Sequence, residues 1–435
     1  MSLSTFSLVA LSYCFSIAFS FPHLHDIRAH SEPIAPSIDP FYTAPIKFEA
    51  TIPGTILRIR PAPGNLTSII ANSSLAYNIL YRTTDSNYNP SWAVTTLIIP
   101  SITVLKPANQ TSTSLLSLQV PYDSSNLDAS PSYYIYQSVP VGDIPATTDD
   151  IAAALGNGWY INMPDYEGPL ASFGLGIQAG HATLDSVRAV LSSSLIPSSN
   201  TTTTKVAMWG YSGGSIASEW AAELQEQYAP DLHFSGAALG GLVPNASSLM
   251  DNITASSYAG LIPSFLVGMT SQDADAYAYL LSRLHPSGPY NASYFLSVRA
   301  MNAGQAFAAF AMQDIYSYFL AGRSDLFSPS SLLAPIINKE GYMGYHGVPR
   351  MPVFVYKAIH DEFTNVRDTD VLVERWCGVG VDVKYQRNEI GGHIAEITNG
   401  RGRALEWLRE VFEGGEDARG CVVENVVVNI TSNPA

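Results

Sequence analysis

Val206-Ala207-Met208-Trp209-Gly210-Tyr211-Ser212-Gly213-Gly214 is an apolar run that ends in a G-x-S-x-G pentapeptide. It leads into Ser215 to Tyr228, where Ala217, Ala221, Leu224 and Tyr228 recur at three- and four-residue spacing. The stretch therefore reads as strand, sharp turn and helix, with one helix face free to pack on a sheet. A serine on such a turn takes a strained backbone conformation with its hydroxyl exposed, and small residues two positions to either side let strand and helix approach closely. Ser212 is the candidate nucleophile, and Gly213 offers a backbone N–H at the helix N-terminus to a developing oxyanion.

Upstream, Ala76 to Tyr81 and Trp92 to Ile99 alternate as two strands of a hairpin around Asp85-Ser86-Asn87-Tyr88-Asn89-Pro90, and Leu115 to Pro121 forms a third strand. A helix at about Ile151 to Leu155, a strand at Trp159 to Met163 and a helix over Leu175 to Ser192 lead into the elbow. Strands alternating with helices imply a mostly parallel sheet with right-handed crossovers. Strand signals vanish between Val243 and about Pro349, where helical patterns such as Ala274 to Leu284 and Tyr294 to Phe319 take over. The sheet resumes with Val353 to Tyr356, a helix around Asp368 to Trp376, the strand Val381 to Tyr385 and a final helix Arg403 to Phe412. The expected organisation is an α/β core over 21–244 opening on a Pro-rich extended arm to about residue 60, a helical cap inserted at 245–350, and a second core part at 351–435.

The 435 residues are 46% hydrophobic and 14% charged, which describes a globular chain and excludes a mainly disordered one. A net charge of −15 with no basic patch argues against nucleic acid as a partner. Residues 1–20 form an apolar run ending in Ala18-Phe19-Ser20, a small-x-small pattern, and resemble a signal peptide. No other segment reaches ~18 uninterrupted apolar residues, so no transmembrane segment is expected. Eight sequons, at Asn65, Asn72, Asn109, Asn200, Asn245, Asn252, Asn291 and Asn429, fit a secreted, extracellular glycoprotein. Of the three cysteines Cys14 lies in the segment expected to be removed, leaving Cys377 and Cys421 as a pair expected to be bridged. There is neither an H-E-x-x-H metal motif nor a Gly-rich phosphate loop, so no metal and no cofactor are expected.

A serine hydroxyl is a poor nucleophile until an imidazole takes its proton, and the imidazole needs an acid to fix its tautomer. On a strand-elbow-helix architecture the order along the chain is Ser, acid, His. His393, in Gly391-Gly392-His393-Ile394-Ala395-Glu396, is the last of nine histidines and falls between the final strand and the final helix, as a loop residue, so it is the candidate general base. Asp361 is the first carboxylate after the strand that runs to Ile359, and its 32-residue separation from His393 holds one helix and one strand. It is the candidate acid, with Glu362 the alternative and an N-cap role for Asp361 the plain structural one.

These pieces, in this order, resemble the fungal secretory lipase family of the α/β-hydrolase superfamily, which also includes trichothecene-type esterases. The resemblance runs from about residue 39 to Cys421 and rests on several segments. These are Asp39-Pro40-Phe41-Tyr42, Pro53 to Arg58, Tyr81-Arg82-Thr83-Thr84, Gln119 to Asp123 with Leu127-Asp128 and Pro131-Ser132-Tyr133, Asp165-Tyr166-Glu167-Gly168, the elbow, Asp361-Glu362, and His393 with Ala395-Glu396-Ile397. It implies an α/β-hydrolase fold with an inserted helical lid, and it implies that Asp123 joins Gly213 in the oxyanion hole. A carboxylate only accepts hydrogen bonds, so Asp123 would have to donate through its backbone N–H or a protonated side chain. Asp165 and Glu167 match a structural loop of the family and stay outside the site. Cys377 and Cys421 match one family disulfide, whereas Ala129 stands where yeast-type members have a second cysteine. The chain also stops fourteen residues after Cys421, where the type member continues into a long flap.

The function expected is a secreted serine carboxylester hydrolase acting through an acyl-enzyme. Acylglycerol lipids are the expected substrates from the family and the apolar cap. The alternative is deacetylation of a small metabolite such as a trichothecene, which the short C-terminus favours. A serine peptidase and a non-catalytic binding module on the same fold are the remaining readings.

Overall fold

Alternation in the first hundred residues builds the antiparallel side of one sheet, and the βα repeats that follow build the parallel side. The computed structural model describes residues 32–104, 112–137, 147–197, 203–415 and 420–430. Strand β1 (Ile56–Pro61) pairs antiparallel with β2 (Ser73–Thr84), which forms the hairpin with β3 (Pro90–Pro100). The sheet continues through β4 (Ser112–Gln119), β5 (Tyr160–Pro164), β6 (Thr203–Tyr211), β7 (Phe234–Gly240), β8 (Val353–Ala358), β9 (Val383–Asn388) and β10 (Cys421–Val426). Its spatial order is β1-β2-β3-β5-β4-β6-β7-β8-β9-β10, antiparallel up to the β3–β5 pair and parallel from β5 onward. Because β4, β6, β8 and β9 run the same way, the loops that follow them open on one edge, as ligand loops do in parallel sheets. Those loops carry Asp123, Ser212, Asp361 and the approach to His393.

Helices cover both faces. The helices α1 (Thr147–Gly156), α2 (Gly176–Ser192) and α3 (Gly213–Tyr228) precede the insertion. Between β7 and β8 come α4 (Ala246–Ile253), α5 (Leu261–Met269), α6 (Ala274–Arg283), α7 (Ala303–Phe310) and α8 (Leu333–Glu340), together with shorter turns. The chain closes with α9 (Val366–Gly378) and α10 (His393–Glu413). Val187, Trp220, Leu224 and Trp376 from α2, α3 and α9 fill one face, and Ile151, Leu155, Trp407 and Leu408 from α1 and α10 fill the other. Trp220 is wedged where a side chain on Gly176 would stand, 2.1 Å from its ring. Truncating such a residue costs about 3–5 kcal/mol. The insertion keeps its own apolar cluster around Phe265, Leu266, Phe295, Phe310 and Tyr318.

Three sequence expectations are corrected. The last helix starts at His393 rather than Arg403, so His393 is its first residue and not a loop residue. Within this helix a Cβ on Gly400 would lie 2.3 Å from the Tyr356 ring, so this glycine serves helix-on-sheet packing. The stretch Tyr294 to Phe319 is not one helix: Asn302, with a Gln305 capping box, and Asp314 each cap a new turn within it. Part of the expected arm pairs as β1, a short half-buried edge strand, and β10 adds an exposed outer edge on the other side of the sheet. Cys377 at the end of α9 and Cys421 at the start of β10 are bonded, with Cα atoms 5.5 Å apart. Among the described residues no helix is long and apolar enough to cross a membrane.

Candidate active site

Strand β6 delivers Ser212 to the turn with φ 52° and ψ −123°, a region that non-glycine residues avoid. The turn is tight enough to need its glycines. A Cβ on Gly210 would lie 2.2 Å from the Gly214 carbonyl oxygen, and one on Gly214 would lie 2.0 Å from that of Gln119. The serine Oγ stands 2.8 Å from His393 Nε2, and His393 Nδ1 stands 2.8 Å from Asp361 Oδ2.

Asp361 is an acceptor on both oxygens. Its Oδ1 takes the backbone N–H groups of Phe363 and Thr364 at 2.8 and 2.9 Å, while Oδ2 takes His393 and Lys357 Nζ, the latter at 2.7 Å. An ionised carboxylate has no proton to give, so Nδ1 carries the imidazole proton and the Nε2 lone pair is left for the serine hydroxyl. Burial by itself would raise the Asp361 carboxyl; the charges of His393 and Lys357 and the hydrogen bonds they donate outweigh it and hold the group well below the usual carboxylate range. The Lys357 side chain is fully buried and also donates to the Leu242 carbonyl and Thr364 Oγ1. The sequence reading missed Lys357; its one visible signal was a lysine inside an otherwise apolar strand, Val353–Ala358.

The loop after β4 brings Asp123 against Gly213 of the elbow. Its backbone is left-handed, with φ 45°. Its Oδ1 is buried without a hydrogen-bond partner and sits 1.7 Å from where a Cβ of Gly213 would be, so only glycine fits beneath it. Burial pushes the Asp123 carboxyl up to about 7, with His393 drawing it part of the way back. A group so placed holds a proton near neutrality and can donate it in a hydrogen bond. Neighbouring Ser124 Oγ donates to the Met301 carbonyl at 2.8 Å, tying this loop to the insertion.

The other carboxyls singled out in the sequence have different partners. Asp165 accepts from the N–H and the hydroxyl of Ser132 at 2.9 and 2.5 Å. Glu167 is buried beside Tyr122, whose Oη accepts from the Glu167 backbone N–H at 2.7 Å, and burial, then the charges of Asp123 and Asp165, raise its carboxyl well above the usual range. Glu362 does not touch the imidazole: its carboxylate takes the backbone N–H of His393 at 2.5 Å and of Ile394 at 3.3 Å. The Phe363 ring stacks on the imidazole at 4.2 Å, and Tyr258 of the insertion packs on Phe363 at 4.3 Å. Asn65, Asn72, Asn252 and Asn429 are exposed, Asn245 and Asn291 are half-buried helix caps, and Asn109, Asn200 and residues 1–20 lie outside the described residues.

The profile of the family described as "Secretory lipase" matches residues 143–420. Trichothecene C-3 esterase of Fusarium sporotrichioides is 49% identical over 412 residues, covering 93% of this chain and 90% of that protein. Lipase A of Arthroderma benhamiae is 35% identical over 413 residues, covering 92% of this chain and 85% of that protein. The crystal structure of Candida antarctica lipase A in its closed state matches with a TM-score of 0.79 at 26% identity, covering 91% of each chain.

Proposed function

The chain belongs to the secretory lipase family, has the α/β-hydrolase fold and is a carboxylic ester hydrolase, and on that premise we propose that it works through Ser212, His393 and Asp361. The observation that supports this most is the unbroken relay of two 2.8 Å contacts from Ser212 Oγ through both imidazole nitrogens to Asp361. Ser212 Oγ adds to the ester carbonyl as its proton passes to His393 Nε2. Asp361 stabilises the imidazolium without itself taking the proton. The tetrahedral oxyanion accepts from the Gly213 N–H and from the protonated Asp123 carboxyl. Collapse expels the alcohol, which takes the proton from His393, and leaves an acyl-serine. Water, deprotonated by the same imidazole, then releases the acid.

For the substrate we propose a short acyl ester, an acetate above all, of a small multi-ring alcohol of the trichothecene kind. The support is the 49% identity to a trichothecene C-3 esterase, well above the 35% to Lipase A. Acylglycerols are the second reading, favoured by the apolar cluster of the insertion, which takes in Phe363 and packs against Ile216 and Ile394 beside the serine and the histidine. In either case residues 245–350 act as a cap over the serine. Export through residues 1–20 fits the family's secretory description and the Cys377–Cys421 bond.

A series of p-nitrophenyl esters from acetyl to palmitoyl, below and above the solubility limit, separates the two substrates. The first reading expects a maximum at acetyl or butyryl and no rise at an oil interface. A maximum at eight carbons or more, with a jump at the interface, would assign the acylglycerols instead.

A further inference from the structure

Helix α10 begins with the histidine that must reach both Ser212 and Asp361, so any error in its first turn is an error in the relay. The first N–H groups of a helix lack intrahelical partners and are ordinarily satisfied by a side chain at the N-cap. Here the N-cap is Gly392, which has no side chain to offer. Its backbone, at φ −121° and ψ −160°, is open to any residue, so conformation does not demand glycine. Space does: a Cβ on Gly392 would lie 2.0 Å from Glu362 Oε2 and 3.2 Å from the His360 carbonyl oxygen. The missing cap comes from thirty residues upstream, where Glu362 Oε2 and Oε1 accept from the N–H groups of His393 and Ile394. A carboxylate there also meets the positive end of the helix dipole. At the other end of the same residue, Tyr211 Oη donates to the His393 carbonyl at 2.6 Å.

We propose that Glu362 is a positioning residue for the ester hydrolysis, capping α10 from the loop after β8 and thereby setting the height of His393 between Asp361 and Ser212. Two adjacent residues then hold one histidine, Asp361 fixing the imidazole and Glu362 fixing the backbone that carries it. Gly392 is the counterpart that makes room. The inference rests on His393 being the base. The charged groups facing that imidazole are Asp361 with Lys357 behind it, Asp123 from the loop after β4, and Glu362 beyond the backbone.

The test compares Glu362→Ala, Glu362→Gln, Gly392→Ala and the Glu362→Ala/Gly392→Ala double variant in the full chain, with p-nitrophenyl acetate and thermal melting. Misplacing a catalytic group by about an ångström costs on the order of 10²-fold. Glu362→Ala is therefore expected to lower kcat about 10- to 100-fold with KM within about twofold. Glu362→Gln, which keeps an acceptor for the backbone N–H, recovers most of kcat with KM unchanged. Gly392→Ala displaces the carboxylate and matches Glu362→Ala, and the double variant is no worse than either, as coupled residues require. If Glu362→Ala does not fold, Gly392→Ala and Glu362→Gln carry the test. Unchanged kcat in Glu362→Ala or Gly392→Ala, a loss that Gln fails to relieve, or an additive double variant would overturn the proposal. A fully active His393→Ala variant would instead remove the base assignment on which it rests.

Discussion

Two buried aspartates both feel the charge of His393, and the loops that hold them shift their carboxyls in opposite directions. Asp361, after β8, meets a lysine, an imidazole and two backbone N–H groups, and is held as an anion far into acid. Asp123, after β4, has an Oδ1 without a hydrogen-bond partner among the described residues, and burial pushes its carboxyl up to about 7 with His393 drawing it part of the way back. Burial is common to both, so the partners make the difference. In the mechanism proposed here, the first supports a developing cation and the second donates to a developing anion.

The sharpest way to break that contrast is to neutralise the anion. Asp361→Asn removes the acceptor that fixes the imidazole tautomer, and kcat for p-nitrophenyl acetate is expected to fall about 10⁴-fold. It also leaves Lys357 buried without its counter-ion, a loss of about 3–5 kcal/mol readable as a lowered Tm. On the other side, Asp123→Ala removes a donor and is expected to lower kcat by about 10²–10³. Asp123→Asn, which keeps an N–H donor, recovers part of that loss.

The pH dependences run in opposite directions. Asp361 has a folded value below its unfolded ~3.9, so its contribution to stability is present at neutral pH and is lost as pH falls below about 4. Asp123 has a folded value of about 7, above the unfolded one, so its contribution is present in acid and fades as pH rises from ~4 through about 7. Asp123→Asn is therefore expected to raise Tm relative to the parent more at pH 8 than at pH 5. The same variant flattens the decline in kcat/KM above pH 7 that follows from ionising the donor. A melting difference independent of pH would mean that the Asp123 carboxyl is ionised throughout. The smallest effect belongs to a third buried carboxyl: Glu167→Gln replaces a neutral acid by a neutral amide of the same shape, and kcat is expected to change by less than about threefold.

Much of this site lay open in the sequence, because each catalytic candidate follows a strand and the strands announce themselves. The elbow at Ser212 combined a motif with a change of period, and Asp361 and His393 followed in the required order. What stayed hidden depended on contacts between distant segments. The use of Gly400 against Tyr356 becomes visible only when α10 lies on the sheet. Lys357 reads as an oddity in a buried strand until Asp361 folds back over it. Glu362 reads as a spare acid, and its bond to a backbone N–H thirty-one residues away carries no periodic signal. The edge strands gave little to read: the alternation Leu57-Arg58-Ile59-Arg60 in β1 is only four residues long after a Pro-rich arm, and β10 is exposed along nearly its whole length.

The central claim is that Ser212 is the nucleophile raised by the Asp361–His393 pair. The direct measurement is peptide mass mapping after titration with diethyl p-nitrophenyl phosphate, run alongside residual esterase activity. One diethylphosphoryl adduct per chain on Ser212, rising in step with the loss of activity and strongly slowed in Asp361→Asn, is the predicted result. Inactivation with Ser212 unmodified, or full modification of Ser212 with activity intact, would contradict it.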